Sequence, residues 1–360
     1  MIMRIHSLSA HHFRNFTTID NIVFPEAPLI AVLAPNASGK TNFLEALIMM
    51  LRAKSFRSRA EDCVQWGEDQ FTVKGQVDTV TGRSILSVQY SKDQKKIKIQ
   101  ENDIPVSPVT FFGKYPYVAF LPEDAFLFNR GPSERRNFLN SSLASSQKYL
   151  SSIVQYHRVL KQRNATLKHA QSKDSVLAWT SLLVEYARPI WGMRSEFVGF
   201  LDEHVGRLYQ ELFFEERNIR VSLTLGAPSV DSLGELLDES WEYEKKYKHT
   251  IYGPHRDDLV VTVDGFSADT VLSRGQMRGL VISLKVASRA FIEQRTGQSP
   301  ILLFDEILSE LDPMRQETLL HHLPGAQTIL TCTSIPDAIR VKSDVSIIDI
   351  RTLVNSPALV

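Results

Sequence analysis

Three regimes of hydrophobic spacing divide the chain. Up to about Tyr117 apolar and polar residues alternate in short runs broken by turn residues, the period of half-buried strands. These runs are LIAVLA at 29–34, FTVKGQVD at 71–78 and RSILSVQY at 83–90, joined through Thr81-Gly82, and KKIKIQ at 95–100, leading into Asn102-Asp103. This spacing predicts an antiparallel β subdomain added to a nucleotide-binding sheet. From about Glu123 to Tyr247 the period becomes helical. Its longest run is QKYLSSIVQYHRVLKQRNATLKHA, about 24 residues or roughly 36 Å of helix. Strand patterns return in DDLVVTVDGFSAD, a predicted hairpin turning at Asp264-Gly265, and in PILLFDE, QTILTCT and VSIIDI. The two strand-rich segments most simply form one discontinuous domain, residues 1–120 and 250–360, with 121–249 inserted as a helical lobe.

Composition narrows the classes without choosing among them. With 360 residues, 43% hydrophobic and 23% charged, the chain is expected to be a globular cytoplasmic protein with a sizeable core. No apolar run reaches the roughly 18 to 20 residues of a membrane span, and the N-terminus lacks the apolar block of a secretion signal. Cys63 and Cys332 stand in no metal-binding spacing and read as buried thiols. Formal net charge is zero, so any nucleic-acid binding has to come from local basic patches.

The chemistry begins where the strand ending at Leu33 runs through Ala34, Pro35, Asn36, Ala37, Ser38, Gly39, Lys40 and Thr41 into a helix. Backbone N–H groups at such a helix start point toward a bound anion. Lys40 would neutralise β- and γ-phosphate charge and the Thr41 hydroxyl would ligate Mg²⁺. Alanine does not readily take positive φ, so Ala34 must sit at ordinary φ or impose strain. The apolar run ILLF then ends in Asp305 and Glu306, as where a buried strand emerges at a phosphate site. Asp305 would hold the Mg²⁺ water shell. Glu306, on the other side of the strand by alternation, would polarise a water for attack on the γ-phosphate. A second helix terminus carries Ser273, Gly275 and Gln276 ahead of an apolar stripe from Met277 to Phe291. Two phosphate-binding termini in one chain fit a head-to-tail homodimer, in which each copy lends its second terminus to the other's ATP.

These motifs resemble those of ABC-type ATPases: Ser273 to Gln276 their signature, SELD at 309–312 with Asp312 their D-loop, and HHFRNF with Arg14 and Asn15 the start of SMC-type heads. The resemblance narrows to the RecF family through FLPEDAFLFNRGPSERRNFLN at 120–140, LKQRNATLK at 160–168, GPHRDDL at 253–259, SRGQMRG at 273–279 and ILLFDEILSELDPMR at 301–315. It implies an α/β ABC/SMC-type P-loop ATPase head with an antiparallel β subdomain, an inserted helical lobe and no long coiled coil. It also implies slow, DNA-stimulated ATP hydrolysis with Mg²⁺ and an ATP-dependent homodimer that clamps DNA at gaps or stalled forks. RecR, and RecO and RecA through it, are the implied partners. The family usually has glycine at positions 34 and 37, often aspartate at 306 and aspartate at 140, where this chain has Ala34, Ala37, Glu306 and Asn140.

Basic residues that could hold DNA phosphates are Lys95, Lys96 and Lys98 on or before a strand, Arg135 and Arg136 after Gly131-Pro132, and Arg158, Lys161 and Arg163 along the long helix. Thr331 or Thr333 stands where transporter ATPases carry a switch histidine and could sense the γ-phosphate. Two other functions compete with the DNA clamp: the ATPase subunit of a membrane transporter, and a weakly hydrolysing DNA-binding scaffold suggested by Ala34 and Ala37.

Overall fold

The computed structural model describes residues 3–170, 172–323, 325–340, 344–350 and 354–355. It divides into two compact units, one of Met1–Asp124, Glu211–Phe213 and Ser288–Val360, the other of Ala125–Gln210 and Phe214–Ala287. The segment 250–287, placed with the ATPase head by sequence, therefore groups with the second unit.

In the first unit β1 (Arg4–Phe13), β2 (Phe16–Val23), β4 (Gln70–Thr79), β5 (Gly82–Ser91), β6 (Lys96–Glu101), β7 (Ile104–Pro105) and β15 (Val354–Asn355) form an antiparallel sheet in the order β15-β2-β1-β4-β5-β6-β7. A parallel sheet has the order β14-β3-β13-β12-β8, built from β3 (Leu29–Leu33), β8 (Tyr117–Phe120), β12 (Ile301–Asp305), β13 (Thr328–Cys332) and β14 (Val345–Asp349). Helix α1 (Lys40–Arg52) touches β1, β4 and β5 of one sheet and β12 and β13 of the other. A helix covered on both sides has to be apolar almost all round, which is why NFLEALIMML carries so few polar residues. Its Phe43, Leu44, Leu47 and Ile48 sit in the core with Phe13, Phe16 and Phe71.

The second unit holds α3 (Pro132–Ser142), α4 (Gln147–Leu167), most of α5 (Asp174–Phe213), and the three-stranded antiparallel sheet of β9 (Ile219–Thr224), β10 (Asp258–Val263) and β11 (Phe266–Ser267). Tyr149 bonds to Arg194 and Arg163 to Thr180, so α4 and α5 run antiparallel. The longest helix is α5 with 40 residues, about 60 Å, and not the 21-residue α4. Pro189 lies inside α5 without ending it. Strand β9 falls in a stretch with an overall helical period. Its alternation of Ile219, Val221 and Leu223 with polar neighbours is the signal that marks it as a strand.

Candidate nucleotide site

The site lies at the carboxyl ends of β3, β13 and β12, where ligands gather in parallel sheets. β13 runs between the other two, so Asp305 on β12 pairs in register with Thr331 on β13, and Cys332 with Leu33 on β3. The loop leaves β3 at Ala34, whose N–H donates to the Cys332 carbonyl at 3.0 Å. Ala34 is fully buried and, among the described residues, is not one of those with positive φ. Ala37 is: it sits at φ 61°, the left-handed region that a side chain resists. Gly39 takes φ 97° just before α1, and a Cβ there would lie 2.6 Å from Asn15 Nδ2, so no other residue fits without displacing Asn15.

Lys40 and Thr41, the first two residues of α1, meet the two carboxylates. The Lys40 ammonium is 2.9 Å from Glu306 Oε1 and donates to the carbonyls of Ala34 and Pro35, both at 3.1 Å, and to Asn36 Oδ1 at 3.2 Å. Ser38 Oγ closes the loop on the Pro35 carbonyl at 2.7 Å. The Thr41 hydroxyl donates to Asp305 Oδ2 at 2.6 Å, and the Thr331 hydroxyl to Asp305 Oδ1 at 2.8 Å. Glu306 does not continue the alternation of β12. The strand stops at Asp305 and Glu306 adopts φ 55°, which turns its carboxylate to Lys40 while its N–H donates to Thr331 Oγ1 at 3.2 Å. Thr331 thus holds both acids in place. The positive φ of Glu306 is the second strained backbone position around the loop.

Burial raises the Asp305 pKa above the usual carboxylate range, opposed by the two hydroxyl donors and reinforced by the negative charges of Glu306 and Glu123. Glu123, in the PED segment, is a site residue the sequence reading left without a role. Its Oε2 is buried with no hydrogen-bond partner among the described residues. A buried carboxylate lacking counter-charge, an orphaned carboxylate oxygen whose charge reaches it, and a hydroxyl on the helix end suit a hard divalent cation such as Mg²⁺. Among the described residues no three His, Cys, Asp or Glu groups form a ready-made cage, so nucleotide oxygens would have to complete the coordination.

Arg14 is held against α1 from below. It donates from Nε to Glu45 Oε2 at 2.8 Å and from a terminal nitrogen to Oε1 at 2.6 Å, and Arg57 also pairs with Glu45 Oε2 at 2.8 Å. Burial would push the Glu45 pKa up, but bonds from Arg14, Arg57 and Ser55 outweigh it and hold the carboxyl below its ordinary range. A lone glutamate inside FLEALIMML is the sequence signal for this cluster.

Ser273 caps α9 (Arg274–Thr296). Its Oγ accepts the Gln276 N–H at 3.3 Å while Gln276 Oε1 accepts the Ser273 N–H at 3.0 Å, a reciprocal capping box. Ser273, Arg274 and Gly275 are exposed, and nothing lies within 4 Å of a Cβ built on Gly275. Asp312 caps α10 (Pro313–His321) by accepting the Arg315 N–H at 3.0 Å.

One of the candidate DNA contacts, Arg163, is corrected, and two others, the half-buried Arg135 and Arg136, have partners within the chain. Arg163 is buried and ion-paired at 2.7 Å with the equally buried Glu244, and bonds to Thr180 and Thr250. Arg135 makes a two-pronged bond to Asp258, at 2.6 and 2.8 Å, and Arg136 donates to the Asp257 carbonyl at 2.9 Å. These arginines hold the second unit together. Lys95, Lys96, Lys98, Arg158 and Lys161 are exposed. In the GPHRDD segment Gly253, Pro254 and Asp257 are buried, while Arg256 is exposed. Asp257 accepts from Arg194, from the Trp191 indole and from the Gly226 N–H.

The model of the RecF/RecN/SMC N-terminal domain matches residues 4–344. The DNA replication and repair protein RecF of Agathobacter rectalis is 31% identical over 96% of this chain and 100% of its own length, and that of Lachnospira eligens 33% over 96% of each. The chain belongs to the RecF family. Solved RecF structures share the fold. The recombination mediator RecF with ATP in the RecFOR pathway has a TM-score of 0.87 at 27% identity over 93% of each chain. The RecF-ATPrS structure has 0.84 at 27% identity, over 97% of this chain and 98% of its own. The Smc head of Pyrococcus furiosus, at 14% identity and a TM-score of 0.56, supports the fold alone. The expected ABC/SMC-type ATPase head with antiparallel and parallel sheets is therefore the fold of this RecF-family chain, a DNA replication and repair protein.

Proposed function

We propose that this chain is an ATP-dependent DNA-binding recombination mediator. The observation that carries the reading is the convergence of Lys40 and Thr41 on Glu306 and Asp305 at the carboxyl ends of β3 and β12. ATP displaces the loop's own acceptors from Lys40, and the phosphates lie against the N–H groups from Ser38 to Thr41. Thr41 and Asp305, joined by Glu123, would hold Mg²⁺, which would supply charge neutralisation to the phosphates. Asp305 and Thr331 fix the position of Glu306, which orients and deprotonates the attacking water. Hydrolysis is slow and DNA-stimulated.

The α9 terminus of one copy, with Ser273 and Gly275 exposed and Gln276 half-buried, completes the ATP site of the other, with Asp312 at the same junction, so ATP closes a homodimer around DNA in the cytoplasm. Exposed Lys95, Lys96, Lys98, Arg158 and Lys161 provide sequence-independent phosphate contacts. The chain acts with RecR and RecO to promote RecA loading at gaps or stalled forks, a reading supported by the RecFOR pathway named for the similar solved structures. The transporter alternative loses its support with the family assignment.

Sizing of the full chain with and without ATP and gapped DNA tests the clamp, the expected result being an ATP-dependent dimer that DNA stabilises. Mixing Lys40→Arg with Ser273→Arg tests the composite site. Each mutant alone is inactive, and a mixed dimer with both lesions in one site regains the other. No rescue at any ratio would remove the pairing. A second reading, a scaffold that binds ATP with little turnover, is favoured by the strained Ala37. Turnover equal in wild type and Glu306→Gln would establish it.

A further inference from the structure

Trp66 is 99% exposed, the most exposed of the large hydrophobic side chains among the described residues. Trp191 is buried on Asp257 and Trp241 packs with Leu167 and Val176, so exposure is not the habit of tryptophan in this chain. Nor is it the accident of a loose loop. Trp66 is the second residue of a turn closed by the Glu68 N–H on the Gln65 carbonyl at 3.1 Å, with Gly67 at φ 86° in the third position that requires positive φ. The turn is anchored on both sides. Val64 bridges to Phe13, the Gln65 N–H donates to the His12 carbonyl at 2.8 Å, and the Gln65 amide donates to Thr17 Oγ1 at 3.0 Å. From the β5–β6 turn, Lys92 donates through its ammonium to the Glu68 carbonyl and through its N–H to the Asp69 carbonyl.

That last tie places the turn that carries Trp66 at the end of the antiparallel sheet where Lys92, Lys95, Lys96 and Lys98 cluster, with Lys96 opposite Ser91 and Lys98 opposite Gln89. Of the acids nearby, Glu61 is ion-paired with Arg59 at 3.2 Å. Lys95, Lys96 and Lys98 are exposed at this end of the sheet. A rigidly presented aromatic face beside a row of cations suits single-stranded nucleic acid, whose bases stack on the ring while lysines track the backbone. Bases inside a duplex are already stacked and offer it no face. A protein pocket would also accept an indole, but has no need of the lysine row.

We propose that Trp66 is a stacking platform for an unpaired base, and that it strengthens binding to DNA with single-stranded segments relative to intact duplex. The proposal rests on the DNA-binding reading above and adds the structural feature of DNA that is recognised.

The test uses the full chain with ATP and labelled single-stranded, blunt duplex and gapped duplex oligonucleotides at one salt concentration. Trp66→Ala should weaken single-strand and gapped binding about tenfold or more and leave blunt duplex unchanged, with Trp66→Phe recovering most of the loss. Melting temperatures equal to wild type exclude a folding defect. Wild-type fluorescence should be quenched by single strands, and this quenching should vanish in Trp66→Phe. Equal loss on all three DNAs, or loss on none, overturns the stacking role. Intact DNA binding in Trp66→Ala with lost capture of a partner protein also overturns it, and assigns the indole to a protein interface. Failure of the wild type to bind any DNA is a different result, which removes the mediator reading itself.

Discussion

The Lys40 ammonium lies 2.9 Å from the Glu306 carboxylate, so the proposed phosphate ligand and the proposed base neutralise each other across the site. ATP must replace Glu306 at Lys40 before Glu306 is available to a water. Glu306→Gln removes the competitor and the base together. Hydrolysis should fall by about 100-fold or more while ATP affinity is kept or rises several-fold. Steady-state turnover and titration with a fluorescent nucleotide check both. A loss of affinity would mean that the pair organises the loop instead of competing with ATP.

Ala37 and Ala34 should respond oppositely to glycine, although both stand where the family usually has it. At φ 61° Ala37 is held in a left-handed conformation, and Ala37→Gly should stabilise the chain by about 1 kcal/mol. Ala34 is buried at ordinary φ, and Ala34→Gly should destabilise by roughly 0.5–1 kcal/mol through backbone entropy. Urea midpoints of the two variants decide this. Midpoints that move in neither variant would show that the loop relaxes around the alanines.

Much of the site was legible because its chemistry is local in sequence. The strand before Ala34, the helix from Lys40 and the acids after Phe304 follow from period, spacing and residue type. What the sequence could not show depends on side chains meeting from distant segments. Glu306 reads as the far side of a strand until the strand is seen to stop at Asp305. Arg163 reads as a cation on a helix until Glu244, far along the chain, is found against it. Glu45 was the exception, a charge inside an apolar helix that announces a buried partner. In the fold, β9 was hidden because six alternating residues are outweighed by the helical period around them, and α5 because Pro189 reads as a break.

Arg163 and the sheet lysines should therefore separate by kind of defect. Arg163→Ala leaves Glu244 buried without its partner and should cost about 3–5 kcal/mol of stability, whereas the double replacement Arg163→Met with Glu244→Leu should cost far less. Lys96→Ala and Lys98→Ala should fold normally, weaken DNA binding, and each lower the slope of log affinity against log salt by about 1. Melting and salt-titrated binding of all four proteins give the comparison. An Arg163→Ala chain that melts like wild type but binds DNA poorly would restore the phosphate-contact role.

His255 should make the second unit sensitive to acid. Its Nδ1 faces the Tyr156 hydroxyl at 2.6 Å and its Nε2 the Thr250 carbonyl at 3.0 Å. Burial pushes its pKa down to about 4, with the charges of Arg256, His157 and Arg136 adding to the effect against the Thr250 bond. The unfolded chain then takes up this proton near pH 6.5, while the folded chain waits until about pH 4. Stability from this group is complete above pH 6.5 and is lost as pH falls toward 4, by roughly 1.5 kcal/mol between pH 6.5 and 5. Other groups titrate in the same range, so the quantity to measure is the difference in this loss between wild type and His255→Gln, from urea melts at the two pH values. The substituted amide can still donate to the Thr250 carbonyl but takes no proton, and the variant's curve should be flatter by about that amount. Parallel curves would mean that His255 titrates alike in the folded and unfolded chain, and that its burial is relieved before the proton arrives.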